Sequence, residues 1–198
     1  MFDHQLGLPD PFSLVITSHI GEKEIAVIVA RRAHGETVTY PAVEMKFNPE
    51  ANLVEYLFAP AAISVQQEKE AAEIAVKLAE ALELEGVLAV ELFLTRDGKL
   101  LVNEIAPRPH NSGHATTEAN RTSQYEQNLR AVCDLPLGDT SLIQPAVMVN
   151  LLGEKGYEGH ARYEGLDEAL SMRDVHVHLY GKKITKPFRK MGHVTVLS

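Results

Sequence analysis

Only one cysteine, Cys133, occurs among the 198 residues, so no internal disulfide is available and a reducing cytoplasm suits the chain. Its neighbours Ala131, Val132 and Leu135 place it on what reads as the buried face of a helix. The opening, Met1 to Pro11, lacks a basic segment followed by an apolar run, and no stretch approaches the roughly 18 apolar residues of a membrane span. A soluble protein with no targeting sequence and no membrane partner is expected. Positive charge is also scarce, with 19 Lys and Arg against 27 Asp and Glu and a net charge of -8. That balance excludes a general binder of nucleic-acid backbones, which needs a basic surface to displace counterions. Any nucleotide must be held by local basic groups or by metal ions. Internal repeats and low-complexity tracts are absent too.

What remains is an ordinary globular mixture, 45% hydrophobic and 23% charged, enough for one core or two small ones. Glu24 to Ala30 is apolar and β-branched, His34-Gly35 can turn, and Thr37 to Tyr40 resumes as a strand, which together make a hairpin. Ser64 followed by Gln67 has the spacing of a capping box. Ala71, Ile74, Ala75, Leu78 and Leu82 then recur at helical spacing, with Gly86 placed to close the helix. Gly86 to Ile105 changes to strand character about a tight turn at Asp97-Gly98. Ser123 and Glu126 repeat the capping pattern ahead of Tyr125, Leu129 and Val132, and Pro136 with Gly138 stops that helix. Ala146 to Leu152, Val175 to Tyr180 and His193 to Leu197 read as strands. The expected class is α+β, with a mainly antiparallel sheet and packed helices.

The hairpin carries the chemistry. With Asp97 and Gly98 as a two-residue loop, Arg96 pairs with Lys99, Phe93 with Val102, and Glu91 with Glu104. Directly opposed side chains in an antiparallel pair have Cβ atoms roughly 5 Å apart, where like charges repel. Either the two glutamates splay into solvent, or a divalent cation such as Mg2+ offsets their repulsion together with phosphate oxygens. The segment Asn103 to His114 (NEIAPRPHNSGH) favours the second reading, because it leaves the strand into a polar run broken by Pro107, Pro109 and Gly113. Such a run is poor helix and poor strand, so it forms a loop at the end of the sheet. Arg108, His110 and Asn111 put a forked cation, an imidazole and an amide there, groups that suit an anionic reactant. His110 and His114 also have the spacing of a helical zinc pair, but Asn-Ser-Gly between them disfavours a helix and the usual glutamate is missing.

Lys182, Lys183, Lys186, Arg189 and Lys190 fall within nine positions of an otherwise acidic chain. They form either a solvated turn or, fixed by Gly181, Pro187 and Gly192, a loop that presents Lys182 and Arg189 to a ligand phosphate.

The runs GVLAVELF, NEIAPRPHNSGH, TSQYEQNLRAV and LPLG, in that order, with VARRAHGETVTYPA before them and YGKK...RKMGH after, resemble the N5-carboxyaminoimidazole ribonucleotide synthetase family of ATP-grasp ligases. The likeness runs from about Glu24 to His193. It implies the C-terminal catalytic part of that fold, with residues 1–140 as an ATP-grasp subdomain and 141–198 as a smaller β-rich one. It implies that ATP activates bicarbonate as carboxyphosphate, and that the exocyclic amine of 5-aminoimidazole ribonucleotide takes the carboxyl group. Carried over by motif, Glu91 and Glu104 bind Mg2+ with the ATP phosphates, and Glu24, Asn103 and Glu104 serve the nucleotide. Arg108, His110 and Asn111 hold bicarbonate or carboxyphosphate, while Lys182 and Arg189 meet the ribonucleotide phosphate. Apolar residues that would meet the family's other domains are expected to favour a homodimer, in the cytoplasm that the lone cysteine suits. The family's N-terminal nucleotide-binding-like domain and ATP lid find no counterpart in these residues, so a part inactive by itself, or a non-catalytic oligomerisation or complementation module, is expected. Two local departures stand out. Ile16 occupies the place of an acidic adenine-hinge residue, and Met45 and Phe47 fall where the family tends to have Asn and His.

Overall fold

The computed structural model describes residues 23–48, 50 and 53–198. Ile16 lies outside them. Eleven strands and four α-helices follow in chain order: β1 Lys23–Arg31, β2 Thr37–Thr39, β3 Val43–Asn48, β4 Leu53–Ala59, α1 Val65–Ala81, β5 Gly86–Leu94, β6 Leu100–Ala106, α2 Thr116–Ala119, α3 Gln124–Val132, β7 Ala146–Leu152, β8 Gly159–His160, α4 Leu166–Ser171, β9 Val175–Leu179, β10 Ile184–Thr185 and β11 Lys190–Leu197. A 3-10 turn, Asn111–Gly113, precedes α2. Nine strands form one sheet in the order β6-β5-β1-β3-β4-β7-β11-β9, with β2 also on β1. All its pairings are antiparallel, as the class read from the sequence requires. The sheet passes without a break from β4 to β7, so the segment beyond residue 141 adds strands to the same sheet that carries the hairpin.

Helix α1 begins as its sequence dictates. Ser64 accepts from the Gln67 amide, and the Gln67 side chain returns to the Ser64 amide. Its inward stripe is Ala71, Ala75 and Ala79, each fully buried. Small side chains at i, i+4 and i+8 bring the helix close to β1, where Ile25, Val27, Val29, Leu88, Val90, Leu92 and Leu94 complete one core. Leu82, expected on that stripe, is the C-cap and is exposed. Gly86 does not close the helix but opens β5. On the opposite face of the sheet, Ala26, Ile28, Ala30, Val87 and Ala89 are covered by the chain around Tyr40, Ala106 and Ala115.

Helix α3 departs from its apolar pattern. Ser123 caps it by accepting from the Glu126 amide, but the Glu126 carboxylate turns to Arg130 instead of closing the box. Its buried residues are Gln124, Gln127 and Ala131, whereas Tyr125, Leu129 and Val132 are exposed, as are Cys133 and Leu135. Apolar residues therefore mark the outer side of this helix. Two glutamines are buried because each meets a backbone partner: Gln127 bonds Gly138 in both directions, and Gln124 does the same with His110.

Strands β3 and β4 were not evident in the sequence. They pair with a register shift near Lys46 and Phe47. Met45 is buried there, and the half-buried Phe47 packs on the same apolar cluster. The buried Glu44 beside them is held between Lys23 and Lys46.

Candidate active site

The β5-β6 hairpin reverses through three residues instead of two. Thr95 pairs with Lys99, the Gly98 amide donates to the Thr95 carbonyl, and Gly98 takes the left-handed conformation, φ 83°, that a side chain resists. The ladder leaving this turn joins Leu94 to Leu100, Phe93 to Leu101 and Leu92 to Val102, one residue out of step with the expected pairing. Val102 consequently packs on the α1 side of the sheet, away from the glutamates. A bulge then inserts Asn103, and beyond it Glu91 does face Glu104. The longer turn and the extra residue cancel.

Glu91 is buried at 8% exposure, and Glu104 is exposed. One ligand atom each from Glu91, Glu104 and His110 lies within 4.8 Å of the other two. Burial, then the charges of Glu104 and Glu24, push the Glu91 carboxyl up to about 7, with Lys190 opposing them. Glu24 sits diagonally across on β1, where Ala26 pairs with Glu91 and Glu24 with Phe93, and burial raises its carboxyl too. Two carboxylates converging at this separation, one of them buried and short of donors, fit a divalent cation, with the His110 imidazole beside them.

The loop after β6 places the predicted polar groups as follows. Arg108 is exposed and donates to the Pro109 carbonyl. His110 turns Nε2 toward Glu91 at 3.7 Å. Its Nδ1 faces Ser112, accepting from the amide at 3.3 Å and lying 3.0 Å from the hydroxyl. Because an amide N–H can only donate, Nδ1 is the acceptor and the ring proton of neutral His110 resides on Nε2, facing the carboxylate. Asn111 begins the 3-10 turn with both side-chain amide atoms buried and without a protein partner. Asn103 is exposed at the bulge, adjacent to Glu104.

The basic tail divides. Lys182 donates to the Lys190 carbonyl and lies over the Tyr180 ring, whereas Arg189 donates to the Ile184 carbonyl at 2.8 Å. Lys190, which carried no role in the sequence, is the half-buried cation that senses Glu91, Arg108 and Lys182; burial, then the two neighbouring cations, lowers its ammonium against the pull of Glu91. Its signal was only its place in RKMGH, beside the arginine that drew attention first.

His114 makes no pair with His110. It stacks on His193 at 4.3 Å, which stacks on His178 at 4.5 Å, forming a column of three imidazoles. Tyr125 bonds His114 Nδ1, Tyr180 bridges His114 Nε2 and His193 Nδ1, and Glu118 holds His178. The column joins the loop before α2 to β9 and β11. Since both His114 nitrogens meet hydroxyls, the zinc spacing of His110 and His114 has no metal geometry behind it.

A sequence model of the ATP-grasp domain matches residues 13–125, and one of the phosphoribosylaminoimidazole carboxylase C-terminal domain matches residues 146–198. The chain belongs to the ATP-grasp family. Among ATP-grasp relatives it is 47% identical over 174 residues to the N5-carboxyaminoimidazole ribonucleotide synthase of Bacillus subtilis, covering 88% of this chain and 44% of that protein. It is 43% identical to the chloroplastic phosphoribosylaminoimidazole carboxylase of Vigna aconitifolia, covering 88% and 31%. The crystal structure of N5-carboxyaminoimidazole ribonucleotide synthetase from Thermotoga maritima superposes with a TM-score of 0.83 at 53% identity, covering 90% and 48%. That of the Aspergillus clavatus enzyme in complex with ADP and 5-aminoimidazole ribonucleotide gives 0.80 at 35%, covering 90% and 47%. The chain thus spans less than half the length of each. The likeness read from NEIAPRPHNSGH and its flanking runs is to the same group of proteins.

The histidines set a pH dependence. Burial first, then neighbouring cations or histidines, lowers His110 and His114 to about 4 and His193 to about 3, below the ordinary 6.5. The unfolded chain binds these protons first, so stability is full above about pH 6.5 and is lost as the pH falls toward 3 to 4. Glu91 acts the other way between its ordinary 4.5 and about 7, because the folded state takes up that proton first. Urea denaturation without added metal is expected to show stability falling below pH 6.5, and falling more steeply in Glu91→Gln between pH 7 and 4.5. An unchanged slope in the variant would contradict the raised Glu91 carboxyl.

Proposed function

We propose that this chain supplies the metal and carboxyphosphate side of an ATP-dependent carboxylation of 5-aminoimidazole ribonucleotide to N5-carboxyaminoimidazole ribonucleotide. The observation that carries the reading is the convergence of Glu91, Glu104 and His110 within 4.8 Å beneath a loop bearing Arg108 and Asn111. In this reaction the γ-phosphoryl group of ATP passes to a bicarbonate oxygen, releasing ADP and forming carboxyphosphate. The ribonucleotide amine then attacks the carboxyl carbon, phosphate departs and the amine gives up a proton.

Glu91 and Glu104 would hold Mg2+, which when bound neutralises charge on the transferring phosphoryl group. His110 points Nε2–H toward Glu91 at 3.7 Å, from where it would donate to a phosphoryl oxygen held by the same cation. Asn111 offers an amide whose donor and acceptor are both free for bicarbonate. Arg108 adds a fixed positive charge, and Asn103 beside Glu104 and Glu24 diagonal to Glu91 are assigned to the nucleotide. Lys182 and Arg189 are assigned to the ribonucleotide phosphate, although the carbonyls they now bond must release them first. The same reading includes a homodimer in the cytoplasm. Exposed Tyr125, Leu129 and Val132 on α3 support self-association, and sedimentation velocity over a concentration series checks it.

Titration with Mg2+ and ATP separates the carboxylate pair from a bystander. Glu104→Gln is expected to weaken magnesium-dependent ATP binding at least about tenfold, about 1.4 kcal/mol. Equal, tight binding by wild type and variant would exclude the clamp.

A further inference from the structure

His110 presents its Nε2 to the carboxylates, yet its own loop bonds the main chain that carries the ring only at the carbonyl, through the Gly113 amide at 3.0 Å. Loop residues hold catalytic geometry only when buried partners lock them. The partner here is Gln124, a fully buried side chain fourteen positions away at the start of α3. Its Oε1 accepts from the His110 amide at 2.9 Å, and its Nε2 donates to the His110 carbonyl at 2.8 Å. One primary amide thus closes both backbone bonds of His110, as an adjacent strand would. The Gln124 amide donates in turn to Thr116 Oγ1 at 2.9 Å, and that hydroxyl donates to the Gly113 carbonyl at 2.6 Å. The whole 3-10 turn is tied to the first turn of α3. Gly113 is part of the arrangement, since a Cβ there would lie 2.4 Å from Gln124 Oε1.

We propose that Gln124 is a positioning residue, holding the His110 backbone so that Ser112 caps Nδ1 and Nε2 stays aimed at Glu91 and Glu104. The assignment rests on the function proposed above for its effect on ligands, but not for its effect on the ring. Without the Gln124 side-chain amide, the His110 N–H loses its buried partner and the C=O keeps only the Gly113 amide, the loop relaxes, and the Ser112 contact that selects the tautomer is lost. Hydrogen-bonding groups standing behind a metal site typically cost about 10–100-fold in affinity when removed.

Two substitutions test this by different routes. Gln124→Met keeps the volume and removes both bonds. Gly113→Ala leaves Gln124 in place but forces its amide aside. Both are compared with wild type at 25 °C, after circular dichroism confirms that they are folded. The 15N shifts of the His110 ring at pH 8 report the tautomer, and magnesium-dependent ATP binding reports the site. Wild type is expected to show a single Nε2–H form. Both variants are expected to show the two nitrogen shifts moving toward each other, and a roughly tenfold or greater loss of affinity. A purely structural role would lower the melting temperature and leave ring shifts and affinity unchanged, and that result in either folded variant would overturn the proposal. If wild type binds no magnesium nucleotide, the functional reading fails while the ring shifts still decide the role of Gln124.

Discussion

Two like charges held face to face at the edge of a sheet are the constraint around which this structure is arranged. At a separation of roughly 5 Å and an effective dielectric of about 20, two carboxylates repel by about 3 kcal/mol, less where solvent reaches Glu104. Burial makes Glu91 the costlier member, and burial first, then the charges of Glu104 and Glu24, raises its carboxyl against the pull of Lys190. Lys190 helps, but it is itself lowered by burial and by two cationic neighbours. A cation shared by the two carboxylates would offset their repulsion. The bulge at Asn103 supports this view, because a regular ladder from the same turn would have set Glu91 opposite Asn103.

Around that pair the fold supplies rigidity from three directions. Helix α1 packs an alanine stripe on the far side of the sheet. The near side is roofed by the 3-10 turn, whose backbone is fastened to α3 through Gln124. The imidazole column fastens the same roof to β9 and β11, so the residues after 146 hold the loop in place as well as extending the sheet. The basic tail is thereby brought to the glutamates, with Lys190 at the start of β11.

Much of this was legible in the sequence where local signals are strong. The capping box at Ser64, the hairpin at Asp97-Gly98 and the three late strands follow from residues that dictate backbone geometry within a few positions. The facing of Glu91 and Glu104 was reached by an incorrect path, with a turn one residue too short and no bulge, two errors of register that cancelled. Asn103 gives no local sign of being the extra residue. Strands β3 and β4 are hard to read from sequence because a register shift near Lys46 and Phe47 interrupts their alternation. The apolar stripe of α3 faces outward, opposite to what its spacing predicts. Apolar periodicity could not show that Gln124 and Gln127 go inside, since their burial depends on backbone partners in distant loops. His114 and Lys190 were undervalued for the same reason, as their partners come together only in three dimensions.

The central claim is that Glu91 and Glu104 together bind one divalent ion. Anomalous diffraction from crystals grown with Mn2+ and ADP tests it most directly. The account predicts a single strong peak bound directly by carboxylate oxygens of both residues. A map with no peak between them, or with the ion held by only one carboxylate, would contradict it.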